Sequence, residues 1–209
     1  MATLQIYGLP PSTYVRTSRM SAHEKGVDHE LVHAAPHTPE LTAISPFGKM
    51  PAMRHGDVTL FESHAINTYI DRTFDGPALI PADPKAYARM EEWVSAVNTA
   101  IDPLMVRKYL FGYIFPGTED GKPDRARIDS CLEELDKQIG ILDGALAESD
   151  FLAGSSLSLA DLNLLPIIHY CSGMPESGEK IKAARNLAAW FDRMNERESV
   201  QATVPPQGN

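Results

Sequence analysis

The segment Ser45-Pro-Phe-Gly-Lys-Met-Pro-Ala-Met53 decides the fold of this chain. It combines a turn with a proline at the position where a strand should begin. Pro51 has no N–H donor and favours an extended conformation at Met50, which can then offer its own N–H and C=O to a ligand. A cis Met50–Pro51 bond would make the turn sharper. The segment therefore predicts a strand edge that is open to a peptide.

A second segment, Leu60-Phe-Glu-Ser-His-Ala-Ile66, marks the beginning of a helix. Glu62 and Ser63 come directly before an apolar helical pattern that includes Ile66 and Ile70. Both are expected at a helix N-terminus, where free N–H groups and the helix dipole favour a carboxylate. The two segments together predict a peptide edge beside a carboxylate pocket.

The elements around these segments alternate between strands and helices. A helix capped by Ser12 or Thr13 is expected to end at Lys25, before Gly26. The order strand–helix–strand, then strand–strand–helix, predicts a thioredoxin-like α/β domain over 1–74, followed by a proline-rich linker over 75–84. The other expected elements are strands over 4–7, 29–32, 52–55 and 58–61, a loop over 34–46 and a helix over 63–73.

From Pro84 onward the pattern is almost entirely helical, which predicts an all-helical bundle domain over 85–209. Ser158 and Asp161 form a capping box that begins a helix apolar nearly all round, so this helix is expected at the centre of the bundle and Asp161 is interpreted as structural. Six apolar residues are spaced so that they are expected to lie on one face of a single helix: Ile128, Leu132, Leu135, Ile139, Leu142 and Leu146.

Composition excludes several functional classes. The 209 residues are 43% hydrophobic and 22% charged, with a net charge of −9 and no basic run, which argues against a nucleic-acid partner. No stretch approaches a membrane span, and the start lacks the pattern of a secretory signal, so the cytoplasm is the expected location. Cys131 and Cys171 are expected to be buried.

These segments resemble the glutathione transferase family, whose N-terminal domain carries Asn/Ser-Pro-x-Gly-x-hydrophobic-Pro followed by Glu-Ser-x-Ala-Ile. The matches are Ser45–Pro51 and Glu62–Ile66, in the right order and spacing, and the similarity continues through Phe151–Asp161. The resemblance implies a glutathione transferase that conjugates the glutathione thiolate to small apolar electrophiles. The alternative is a glutathione-binding or ligand-carrying protein with little transferase activity.

Such chemistry needs a group that stabilises the thiolate. No cysteine precedes residue 131, so the domain has no thiol of its own for thiol–disulfide exchange. The string Tyr7-Gly-Leu-Pro-Pro-Ser-Thr13 is similar to the phi class and related bacterial enzymes, in which the Ser is the thiolate donor. Ser12 is the favoured hydroxyl, although a plain helix cap is the competing interpretation, and Tyr7 and Thr13 stay as alternatives.

The resemblance assigns glutathione contacts by motif position. Met50, beside Pro51, should pair backbone to backbone with the cysteinyl unit. Glu62 should face the γ-glutamyl ammonium and Ser63 its carboxylate. The remaining candidates are Lys49 and His37, for the glycine carboxylate.

The second substrate should contact the helical domain. The electrophile pocket is expected to involve Leu9, together with a helix stripe of Met105, Tyr109 and Tyr113 that core packing would explain equally well. Glutathione acts as a co-substrate, and no metal is expected, because the histidines lack ligand spacing. The resemblance also implies a homodimer, with Phe47 as the aromatic that contacts the partner subunit.

Overall fold

Four strands form one sheet: β1 (Leu4–Gly8), β2 (His29–His33), β3 (Ala52–His55) and β4 (Val58–Phe61). The computed structural model describes residues 2–206, and in it the strand order is β2-β1-β3-β4. β1 pairs with β2 in parallel, whereas β3 is antiparallel to both β1 and β4. The connection between the parallel strands is a helix, as a parallel pair requires. The predicted thioredoxin-like arrangement is confirmed.

Within residues 9–73 the sheet is accompanied by three helices: α1 (Thr13–Glu24), α2 (Pro39–Thr42) and α3 (Ser63–Thr73). The segment 34–46 was predicted as a loop, and this prediction is corrected at α2. The sequence does not reveal α2, because a single helical turn that begins with a proline is too short to show a periodic pattern. Side chains alternate between the two faces of the sheet. One face packs Leu4, Ala22, Met53, Ile66 and Ile70, and the other packs Tyr7, Ala34, Leu41 and Ala52.

A buried ion pair fixes the chain after α3. Lys25 Nζ lies 3.2 Å from Asp71 Oδ1, and both side chains are buried. Lys25 Nζ also donates to the carbonyl oxygens of Gly76 and Pro77, and Asp71 accepts from the N–H of Leu79 at 2.8 Å. The residues predicted as the start of a linker are therefore held against α1 and α3. This explains why the first compact unit runs to Ala82 rather than to residue 74.

The second compact unit, Asp83–Met194, is helical. Within the described part of the chain it contains α4 (Pro84–Ala96), a π-helix (Val97–Leu110), α5 (Phe111–Ile114), α6 (Arg125–Asp129), α7 (Leu132–Ala145), α8 (Leu159–Ser172), α9 (Pro175–Ala183) and α10 (Arg185–Asn195). The expected stripe spans two helices, because the chain turns at Ser130-Cys131 and leaves Ile128 on α6. The predicted bundle fold is confirmed.

The π-helix over Val97–Leu110 carries Pro103 in its interior. Its wider winding places residues five apart on one face, since each N–H bonds to the carbonyl five residues earlier. Asp102 and Arg107 show the consequence, because Arg107 Nε donates to Asp102 Oδ2 at 2.9 Å.

The α8 helix is buried along nearly its whole length, and its capping box is confirmed. Asp161 is fully buried, and its carboxylate accepts four hydrogen bonds. Oδ1 accepts from the N–H of Leu152 at 3.0 Å and from Trp190 Nε1 at 3.1 Å, while Oδ2 accepts from the N–H and the hydroxyl of Ser158. Burial raises the pKa of Asp161, and these donors act against that rise. Cys131 and Cys171 are buried, as predicted.

The C-terminal segment groups with the first compact unit, whereas the sequence analysis places it in a helical domain over 85–209. A short helix, α11 (Glu198–Gln201), follows α10. Arg197 donates from Nε and Nη2 to the two carboxylate oxygens of Glu24, at 2.7 and 2.6 Å, and the hydroxyl of Ser199 also binds Glu24. Residues 207–209 of the predicted domain lie outside the described residues. No helix within residues 2–206 is long and apolar enough to cross a bilayer.

Replacing Asp161 with asparagine should destabilise the helical unit. The amide has one acceptor oxygen and an NH₂ group that would face donors, so we expect the free energy of unfolding to fall by about 2–4 kcal/mol. Urea denaturation followed by tryptophan fluorescence measures this change. The matched control is Asp150→Asn on the surface, expected to change stability by less than about 0.5 kcal/mol. Equal midpoints for the two variants would contradict the structural role of Asp161.

Candidate functional site

The loop between β1 and α1 places Ser12 at the N-terminus of α1. Its backbone is extended (φ −67°, ψ 127°), and its side chain accepts a hydrogen bond from the N–H of Val15 at 3.4 Å. Ser12 is half-buried, and no residue that the structure describes accepts its hydroxyl proton. The hydroxyl therefore caps the helix by one of its lone pairs and keeps its own proton for another partner.

Tyr7 and Thr13 are less available than Ser12. Tyr7 is only 8% exposed, packs among Ala34, Leu41 and Ala52, and donates its hydroxyl proton to Gln5 Oε1 at 3.0 Å. It lies on the sheet face opposite the one that packs Ala22 of α1 and Ile66 of α3. Thr13 is the first residue of α1 and is buried.

Met50 lies against the same loop. A Cβ atom on Gly8 would be 3.2 Å from Met50 Cβ and 2.4 Å from a methyl carbon of Val15, so only glycine fits. The N–H of Leu9 points at Met50 Sδ, 3.3 Å away. The Met50–Pro51 peptide bond is cis. No hydrogen bond joins the backbone N–H or C=O of Met50 to another residue that the structure describes, which leaves the open edge that the sequence predicts.

Glu62 and Ser63 begin α3, as predicted. Glu62 has φ 68° and ψ 119°, a conformation that is costly for a residue other than glycine and that concentrates at functional sites. Its side chain is exposed and makes no capping hydrogen bond, while Ser63 is buried in the first turn. The side chain that flanks the N-terminus of α3 therefore does not cap it, and the N–H groups of the first turn are suited to bind an anion.

His37 and Lys49 are both exposed; His37 packs against Gly48, and Lys49 directly precedes Met50. The N–H of His37 donates to the carbonyl oxygen of Gly48 at 2.9 Å, and the imidazole lies so close to Gly48 that a Cβ there would be 2.3 Å from Nδ1. His37 also has a positive φ of 63°. Two basic side chains thus adjoin the open edge, in an arrangement that suits a carboxylate.

The expected electrophile-pocket residues differ in exposure. Leu9 is half-buried, whereas Met105 and Tyr109 are completely buried inside the helical unit. Because a fully buried side chain offers no surface to a ligand, the burial of Met105 and Tyr109 favours core packing, the interpretation that the sequence left open beside the pocket. Tyr113 is half-buried and keeps some exposed surface.

The helical unit also holds a polar cluster that the sequence analysis missed. Glu176 accepts from the hydroxyls of Tyr109, at 3.0 Å, and Tyr113, and Arg125 Nη1 lies 2.7 Å from its carboxylate. Burial alone would raise the pKa of Glu176, but the bonds from Tyr113 and Arg125 lower it to about 2. Sixty or more residues separate Glu176 from the two tyrosines, so no local pattern points to this cluster.

The close approach at Gly8 gives a test of the site geometry. Gly8→Ala would bring a Cβ to 2.4 Å from a methyl carbon of Val15 and 3.2 Å from Met50 Cβ, so Val15 at the start of α1 and, to a smaller extent, Met50 must shift. We therefore expect the Kd for glutathione to rise about tenfold or more. Isothermal titration calorimetry measures the Kd. The control is Gly140→Ala, since a Cβ on Gly140 would have no neighbour within 4 Å. Unchanged affinity in Gly8→Ala would show that the contact with Met50 does not shape the binding edge.

Comparisons with known proteins agree with this geometry. Residues 6–78 match the family model for the glutathione S-transferase N-terminal domain, and residues 87–198 match the model for its C-terminal domain. The chain is 33% identical to glutathione S-transferase 3 of Zea mays, over 98% of this chain and 94% of that protein.

Solved structures give the same result. The crystal structure of glutathione transferase F7 from Populus trichocarpa aligns with a TM-score of 0.87 and 30% identity, covering 96% of this chain and 97% of that one. Glutathione S-transferase I from mais, in complex with an atrazine glutathione conjugate, aligns with a TM-score of 0.86 and 28% identity, covering 97% of each chain. The two matched domains span most of the sequence, and the chain is an enzyme of the glutathione S-transferase family.

Proposed function

We propose that this enzyme conjugates glutathione to apolar electrophiles and that the Ser12 hydroxyl stabilises the glutathione thiolate. The observation that carries the proposal is the state of this hydroxyl, which accepts the cap bond from Val15 while no described residue takes its proton. One hydroxyl has two lone pairs and one proton, so the cap and the thiolate donor are compatible roles. Tyr7 is a weaker candidate, because its proton is already bound to Gln5.

The energetic requirement is modest. A free thiol has a pKa near 8.5, so only a few per cent is ionised at neutral pH. Lowering that pKa by roughly two units requires about 2.7 kcal/mol of preferential thiolate stabilisation. A charge-assisted hydrogen bond contributes about 1.5–3 kcal/mol, and the N-terminus of α1 adds a smaller amount. One well-placed hydroxyl at this helix end is therefore sufficient.

The tripeptide would be held by groups around the open edge. We propose that the backbone of Met50 pairs with the cysteinyl unit, which brings the thiol toward the β1–α1 loop. The γ-glutamyl end would bind at α3, with its ammonium facing Glu62 and its carboxylate near Ser63. The two basic side chains Lys49 and His37 would take the glycine carboxylate.

In the reaction, the thiol loses its proton to solvent as the thiolate forms against Ser12. The sulfur then attacks an electrophilic carbon of the second substrate, a C–S bond forms, and the leaving group departs with its electron pair. The electrophile class is proposed as apolar and planar. The mais enzyme, whose structure holds an atrazine glutathione conjugate, supports this choice at 28% identity.

The decisive experiment is a titration of bound glutathione. Thiolate absorbance near 240 nm, followed from about pH 5 to pH 9, should give a thiol pKa roughly two units below its free value. Ser12→Ala should raise that pKa by about 1–2 units and lower kcat/KM at pH 6.5 by about tenfold or more, because less thiolate is present below the pKa. The Kd for glutathione should change little.

Two variants serve as controls for the assignment. Tyr7→Phe and Thr13→Val each remove one hydroxyl and keep the side-chain volume, so neither should move the pKa of the bound thiol. A lowered pKa that survives Ser12→Ala would leave Ser12 as a helix cap only. An ordinary pKa in the wild-type complex would favour the alternative of a glutathione-binding protein with little transferase activity.

We also propose a homodimer in the cytoplasm, with Phe47 at the subunit contact. Phe47 is 62% exposed in the first unit, and its ring packs edge-on against Phe61 at 6.0 Å. Phe47→Ser should weaken dimer association about tenfold or more, since aromatic anchors dominate interfaces. Sedimentation equilibrium measures it, with Tyr87→Ser, another exposed aromatic, as the control. A monomeric wild-type protein, or a Phe47→Ser dimer of unchanged affinity, would contradict this contact.

A further inference from the structure

The helical unit contains a cavity of about 450 Å³ where the end of α8 meets α9 and α10, which we call the α8–α10 cavity. Its apolar wall includes Met174, Ile181 and Phe191. The ring of Phe191 is also packed against the ring of His169, with 6.5 Å between the ring centres. A cavity of this size, with apolar walls and a few polar groups, has the character of a small-molecule site.

The end of α8 contributes acceptor groups beside this cavity. Gly178 lets α9 approach closely, because a Cβ there would lie 2.6 Å from the carbonyl oxygen of Ser172. Ser172 and Gly173 both line the cavity, and their carbonyl oxygens accept no hydrogen bond from another residue in the described part of the chain. The C-terminus of a helix also carries the negative end of its dipole. This side of the cavity therefore favours a positively charged donor.

Three charged side chains complete the lining. Glu179, Lys182 and Asp192 are all exposed, and no ion pair joins any of them to another residue among 2–206. Two carboxylates and one ammonium thus border the same space without neutralising one another. The balance of charge is negative, and the carbonyl end of α8 adds to it.

We propose that the α8–α10 cavity binds an organic cation that has one primary ammonium group and an aromatic or branched apolar body. The ammonium has three N–H donors, which match the carboxylates of Glu179 and Asp192 and the carbonyl oxygens at the end of α8. The apolar body lies against Met174, Ile181 and Phe191, and its burial supplies the rest of the affinity.

Lys182 has the opposite effect in this arrangement. Its ammonium repels a bound cation, so removing the charge of Lys182 strengthens binding, whereas removing either carboxylate weakens it. An anionic ligand would reverse both signs. The direction of the change in each variant therefore identifies the charge of the ligand, and the proposal commits to a cation.

The binding is separate from conjugation. None of the residues proposed to hold glutathione, to activate its thiol or to contact the electrophile lines the α8–α10 cavity. The cation is therefore expected to bind equally well whether or not the glutathione site is filled. This independence keeps the test distinct from the thiol titration, so that either proposal can fail without the other.

The test is isothermal titration calorimetry of the full chain with 3-phenylpropylamine at about pH 7.5 and low salt, because salt screens exposed charges. We expect saturable binding with the same Kd in the presence and absence of S-hexylglutathione. Glu179→Gln and Asp192→Asn should each raise the Kd about threefold, and Lys182→Gln should lower it about twofold. The uncharged 3-phenylpropan-1-ol, which has the same body, should bind about tenfold more weakly.

The matched control is Glu133→Gln on α7, which removes an exposed carboxylate away from the cavity and should leave the Kd unchanged. An equal effect of Glu133→Gln and Asp192→Asn would mean that the amine responds only to the net charge of the protein. Tighter binding of 3-phenylpropionate, weakened by Lys182→Gln, would make the cavity an anion site and overturn the proposal.

Two further results would contradict the location. Displacement of the amine by S-hexylglutathione would place it in the electrophile pocket, and a Kd that no cavity variant changes would place it elsewhere. The substituted side chains are all exposed, so each variant is expected to fold, and circular dichroism melting checks this. Because Lys182→Gln is expected to strengthen binding, a partly unfolded variant cannot imitate its result.

Discussion

The close contact between Gly8 and Met50 is the constraint on which the glutathione-side geometry depends. A side chain at residue 8 would collide with Val15 and Met50, so the absence of a Cβ lets the β1–α1 loop and the start of β3 come together. The Leu9 N–H directed at Met50 Sδ adds a second link between the two segments. The loop that presents a hydroxyl and the strand edge that presents an unpaired backbone are thereby fixed as one surface, although about forty residues separate them in sequence.

The position of Ser12 shows how a structural and a chemical role can share one atom. A helix N-cap uses a lone pair of the hydroxyl oxygen, whereas a thiolate donor uses the proton, so neither role blocks the other. The cap bond of 3.4 Å is long, which fits a hydroxyl held in place by the turn rather than by that bond alone. Tyr7 gives the contrast, because its proton is already committed within the sheet face on which it lies.

The sequence predicts features whose causes are local, and it misses features whose causes are distant. The caps at Ser12 and Ser158 and the beginning of α3 were predicted, because each depends on residues within one turn. The packing of the C-terminal segment was not predicted, because it depends on the ion pair between Arg197 and Glu24, which are more than 170 residues apart in sequence. The short helix α2 was not predicted for another reason: a single helical turn is too short to show a periodic sequence pattern.

The burial of Tyr109 was not predicted for the same reason, and it changes which groups the helical unit can offer to a ligand. Stripe spacing alone cannot distinguish a pocket face from a core face, and the partner that decides between them, Glu176, lies on another helix. Glu176 accepts hydrogen bonds from the hydroxyls of both Tyr109 and Tyr113, so neither hydroxyl is free to donate to a substrate. The large side chains left exposed at the end of this helix, Ile114 and Phe115, carry no donor at all. The side-chain surface that these two residues offer is therefore apolar, because the polar groups of the same segment are bound within the helical unit.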